Sequence, residues 1–88
     1  MKLKYNFVTR VVDGRPIAVA VGEDNARFGG MIKLNDTGRF IFDMLSADVS
    51  EDTVISEFVK NYDVSEDEAA AAMREFLEGL RDRGLLSE

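Results

Sequence analysis

An α+β fold, with an N-terminal three-stranded antiparallel sheet followed by three helices, is predicted by three features of the sequence. Residues 5–12 are rich in β-branched and aromatic side chains and run into Asp13-Gly14, a pair favoured in two-residue hairpin turns. Beyond Asn35 the apolar residues recur at helical rather than alternating spacing. The chain has 88 residues, 45% of them hydrophobic, which suits one domain spanning residues 1–88 around one core.

Each element has its own local cause. The Asp13-Gly14 turn folds a second strand, residues 15–21, back on the first, placing Val8 opposite Val19, Phe7 opposite Ala20 and Pro16 opposite Val11. Gly22-Glu23-Asp24-Asn25 reads as a turn and residues 26–30 as irregular or weakly extended. A short third strand follows at Met31, Ile32, Lys33 and Leu34. Asn35 or Asp36 can cap a first helix whose apolar stripe is Phe40, Ile41, Met44 and Leu45, with Gly38 weakening it. Ser50 caps a second, in which Val54, Ile55, Phe58, Val59 and Tyr62 share a face behind the acidic first turn of Glu51 and Asp52.

The third helix opens on Ser65 with Glu68 three residues on, the signature of a capping box, and ends at Gly84. At about 100° per residue, Phe76, Met73 and Leu80 take the centre of its buried face, with Leu77 at the margin beside Ala70, Arg74 and Arg81. Glu75, Glu78 and Asp82 take the opposite side. Leu85 and Leu86 are expected to fold back on the core.

Composition excludes several kinds of chemistry. With no cysteine and no histidine the chain offers no disulfide, thiolate zinc site, thiol nucleophile or imidazole base, and a non-enzymatic binding role without cofactor or metal is expected. Asp63, Glu66, Asp67 and Glu68 cluster, but without EF-hand spacing, and they suit the dipole of a helix start. Gly22, Gly29 and Gly30 are followed by no phosphate-loop lysine, and Thr37-Gly38 reads as a first helical turn that packs closely. No apolar run approaches the roughly 20 residues of a membrane helix, so a soluble, cytoplasmic protein is expected. Residues 1–34 carry six basic and three acidic side chains, and residues 35–88 five basic and fourteen acidic, for a net charge of −6. That balance disfavours nucleic acid and anionic membranes as partners. An open three-stranded sheet leaves two edges. Pro16 is expected to blunt the edge on strand two and Lys33 the one on strand three.

Strands followed by three closely connected helices compose a winged helix-turn-helix variant. Within it, the apolar strand Met31-Ile32-Lys33-Leu34, then Asn35-Asp36-Thr37-Gly38, then a helix containing Phe40 and Phe42, resembles the PqqD family, the RiPP recognition elements. The acidic closing helix ending in Gly84-Leu85-Leu86 resembles that family too, and Phe42 stands where the family commonly has tryptophan. The resemblance implies a peptide chaperone that binds the leader of a ribosomally made precursor peptide and presents it to a modifying enzyme, often a radical S-adenosylmethionine maturase. It implies that the leader adds a strand to Met31, Ile32, Lys33 and Leu34 and lies beside the third helix, at Arg74, Leu77 and Arg81, where the arginines would attract an acidic leader. Ile32, Leu34 and Leu77 fit equally well as ordinary core. A winged-helix DNA-binding module and a dimerisation module, with a homodimer formed through strand edges, are the alternatives.

Overall fold

The computed structural model describes residues 1–27 and 29–88. Two strands, β2 (Phe7–Val12) and β3 (Arg15–Ala20), form the expected hairpin in the expected register, with Val8 paired to Val19, Phe7 to Ala20 and Val11 to Pro16. Asp13 and Gly14 have φ of 52° and 76°, the positive values a type I′ turn requires. β4 (Met31–Lys33) pairs with β3 on its other side, so the sheet order is β2-β3-β4. This corrects the expected role of Pro16. It lies on the central strand, opposite Leu34 and one step beyond the Ile17–Lys33 pair, where its carbonyl accepts the Leu34 N–H at 2.9 Å. Having no N–H to return, it ends the ladder instead of guarding an edge.

Two features carry no signal in the sequence. A four-residue helix, α1 (Asp24–Arg27), occupies the segment expected to be a turn and irregular chain; Phe28, within that expected stretch, lies outside the described residues. Asp24 is buried there and accepts hydrogen bonds from the Asn6 N–H at 2.8 Å and from Arg27 at 3.1 Å. The second feature is an antiparallel ladder between the two ends of the chain, β1 (Lys2–Leu3) with β5 (Leu86–Ser87).

Three longer helices follow the sheet: α2 (Asp36–Met44), α3 (Glu51–Asn61) and α4 (Glu66–Asp82). Asn35 caps α2, Ser50 caps α3, and Ser65 with Glu68 forms the expected capping box on α4. The helix closes where Gly84 N–H reaches Arg81 O and Leu85 N–H reaches Leu80 O, both at 2.9 Å, which turns Leu85 fully into the interior.

The core joins one face of the sheet (Ala18, Ile32, Leu34) to Ile41, Phe42 and Leu45 of α2 and its C-cap, Val54 and Phe58 of α3, and Ala69, Met73, Leu77 and Leu80 of α4. Phe42, absent from the expected stripe of α2, stands at its centre. Its ring meets Phe7 of the sheet edge-on at 5.2 Å and Phe76 of α4 at 6.5 Å.

Candidate functional site

β4 is an edge strand, and the direction of its backbone groups follows from one bond. In an antiparallel ladder, residues alternate between those bonded to the neighbouring strand and those facing away. Leu34 donates to Pro16, so Ile32 also bonds inward to Ala18, and the N–H and C=O of Met31 and Lys33 point out from the sheet. Among the described residues, none of these four groups has a backbone partner outside the sheet. Side chains alternate on the other axis. Ile32 and Leu34 are buried beneath the strand, whereas Met31 and Lys33 are exposed.

This edge borders a groove of about 350 Å³. One side is Ile32, Lys33, Leu34 and the first turns of α2 with Asn35, Thr37, Gly38 and Ile41; the facing wall is α4, with Ala72, Glu75, Phe76, Gly79, Leu80 and Arg83 just past its end. The short segment Asn35-Asp36-Thr37-Gly38 fixes the corner. The Asn35 Oδ1 accepts from the Gly38 N–H at 2.6 Å and from the Thr37 hydroxyl at 3.2 Å. A Cβ on Gly38 would lie 2.8 Å from Asn35 Oδ1 and 3.0 Å from a Phe76 ring carbon, so only glycine lets α2 approach α4 this closely. The expected close packing of Thr37-Gly38 is therefore what the structure contains.

Of the expected residues, Ile32, Lys33 and Leu34 line the groove, Met31 stands exposed outside its lining, and Arg74, Leu77 and Arg81 do not line it. Leu77 is 1% exposed and belongs to the core. Arg74 and Arg81 lie about half a turn around α4 from the stripe of Ala72, Phe76, Gly79 and Arg83. Arg81 is committed elsewhere, making two hydrogen bonds to Glu88 at 3.0 and 2.6 Å and an ion pair with Glu51 at 3.8 Å. Those hydrogen bonds hold the Glu88 carboxyl below its ordinary range and raise the guanidinium above its own. Helical spacing leaves two flanks beside the buried face of α4, and the groove lies along the one opposite the arginine flank expected from the sequence. Leu77 is buried with Ala69, Met73 and Leu80, so the buried face centres between Leu80 and Met73, with Phe76 at the groove margin and Glu75 on the groove rim.

Lys33, Glu75 and Arg83 line the groove and make no ion pair or side-chain hydrogen bond among the described residues. Two cations and one carboxylate leave the groove positive in a chain of net charge −6. Among the described residues no group of three or more histidine, cysteine, aspartate or glutamate side chains is placed to hold a metal ion, and no helix is long and apolar enough to cross a membrane.

A family model described as coenzyme PQQ synthesis protein D (PqqD) matches residues 11–86. The chain belongs to the PqqD family. The match runs from the hairpin through the Leu34-to-Gly38 corner and all of α4 to β5, so every wall of the groove lies within the PqqD region. The fold is also similar to that of a solved structure, "TbiB1 in Complex with the TbiA(beta) Leader Peptide", with a TM-score of 0.76 and 20% identity over 99% of this chain and 95% of that one. At that identity the likeness is one of fold. No curated protein matches this PqqD-family chain.

Proposed function

We propose that this PqqD-family chain is a peptide-recognition module that takes up the leader of a ribosomally made precursor as an added strand on β4 and presents it to a modifying enzyme, of the radical S-adenosylmethionine class or another. The observation that carries this reading is the row of outward N–H and C=O groups on Met31 and Lys33 beside a groove walled by α4. Four such groups form up to four backbone hydrogen bonds, each worth about 0.5–1.5 kcal/mol net, and they set register without reading sequence. Family membership and the leader peptide in the complex of the fold neighbour TbiB1 support the same reading.

The binding residues are then Met31 and Lys33 through their backbones, Ile32 and Leu34 as the apolar floor, and Phe76, Leu80 and Arg83 from the helix wall. These last replace Arg74, Leu77 and Arg81. Lys33 and Arg83 favour an acidic leader. Nothing in this assignment asks the chain for chemistry of its own; that falls to the enzyme. A DNA-reading role for α4 is opposed by its six carboxylates against two arginines. Pairing of two copies has the outer edge of β2 available and leaves the β4 groove open.

The test is a titration with leader peptides of short precursor frames found near this gene, followed by backbone amide shifts. Shifts should concentrate at residues 31–34 and on the Phe76 side of α4. Arg83→Glu should weaken binding about five-fold and Arg74→Glu hardly at all. Shifts clustered around Arg74 and Arg81, or none, would refute the reading.

A further inference from the structure

Gly79 sits in the last turn of α4, exposed, on the wall of the groove. Glycine is the poorest helix former after proline, so a glycine here calls for a reason. The fold supplies none. Its φ is not among the positive values, and a Cβ built on it would meet nothing within 4 Å apart from its chain neighbours and the backbone of its own helix. Gly38, across the groove, is the opposite case, since there a Cβ collides with Asn35 and Phe76. Within the chain, alanine at 79 would fit and would strengthen the helix.

What an absent side chain does at this position is leave a notch. On the helix surface it is bordered by Phe76 and Glu75 one turn before, Leu80 beside it, and Arg83 one turn after. A strand added to β4 would point alternate side chains to the same face as Ile32 and Leu34, which is the face towards α4. We propose that Gly79 is a specificity-determining residue whose notch admits one bulky apolar side chain, aromatic or branched aliphatic, from the peptide strand bound on β4. The side chain packs on Phe76 and Leu80 while Glu75 and Arg83 border it with charge. This rests on the groove being a peptide site and adds to it which kind of residue the peptide must carry, and where.

The experiment selects binders to the full chain from a displayed library of random peptides and measures one enriched peptide against wild type, Gly79→Ala, Gly79→Leu and the exposed control Glu78→Ala. Enriched peptides should share a bulky apolar residue at one position. Gly79→Ala should raise the melting temperature by about 4–8 °C and yet weaken the peptide about ten-fold, so that loss of binding cannot be loss of folding. Gly79→Leu should abolish binding, and Glu78→Ala should leave it unchanged. Replacing the peptide's bulky residue by alanine should weaken wild type and largely remove the difference between wild type and Gly79→Ala. Unchanged affinity of Gly79→Ala for a peptide that shifts the amides of residues 31–34 overturns the notch alone. A Gly79→Ala chain that is no more stable removes its premise. Failure of every selected peptide to shift those amides overturns both the notch and the peptide reading.

Discussion

The two flanks of α4 both set arginine beside an apolar edge, and the fold uses them in opposite ways. On one flank, Arg81 is tied to Glu88 and Glu51 and helps hold the C-terminal segment, Arg74 stands exposed, and Leu77 is sealed inside. On the other, Glu75 and Arg83 are unpaired among the described residues, two small side chains keep the wall low, and the facing strand ends in unbonded backbone groups. Charge next to an apolar margin therefore does not mark a groove. What distinguishes the two is that only one looks onto the open edge of a sheet.

The largest effect that tests this contrast is expected at Leu77. As a fully enclosed core side chain, its replacement in Leu77→Ala should cost about 2–5 kcal/mol, a large share of the stability of a domain this size. Urea denaturation with an unchanged slope would measure it. A loss well under 1 kcal/mol would mean that Leu77 lies at a solvent margin, as the sequence suggested. A smaller effect of the same sign is expected for Gly38→Ala. Its new methyl must displace the Phe76 ring or the Asn35 cap, at about 1–3 kcal/mol, against a helix-propensity gain of about 1 kcal/mol. The net change should be destabilising, opposite in sign to Gly79→Ala on the facing wall, and thermal melts of the two variants side by side would show it.

Much of this was legible in the sequence because the signals were local. Asp13-Gly14 fixed the hairpin and, through it, every pairing of β2 with β3. Asn35, Ser50 and the Ser65–Glu68 box each marked a helix start with a side chain that meets the backbone three residues on. The parts that escaped depend on distant partners. The β1–β5 ladder joins two-residue strands from opposite ends of the chain, too short to show a period. Asp24 looked like turn chemistry until its partner, the Asn6 N–H, came from the start of the hairpin. The strand side of the groove was legible because an apolar strand next to a capped helix is a continuous stretch of chain. Which flank of α4 faces β4 was not, because helical spacing leaves a flank on each side of the buried face and only tertiary packing decides which one meets the strand.

Amide hydrogen exchange at single-residue resolution reads most directly whether a peptide completes the unfinished edge of β4. In the free chain the Met31 and Lys33 amides should exchange quickly while Ile32, bonded to Ala18, is protected. With saturating leader peptide, Met31 and Lys33 should become protected by about ten-fold or more, with Arg74 and Arg81 unaffected. Peptide binding that leaves the Met31 and Lys33 amides as exposed as before would contradict strand addition at this edge.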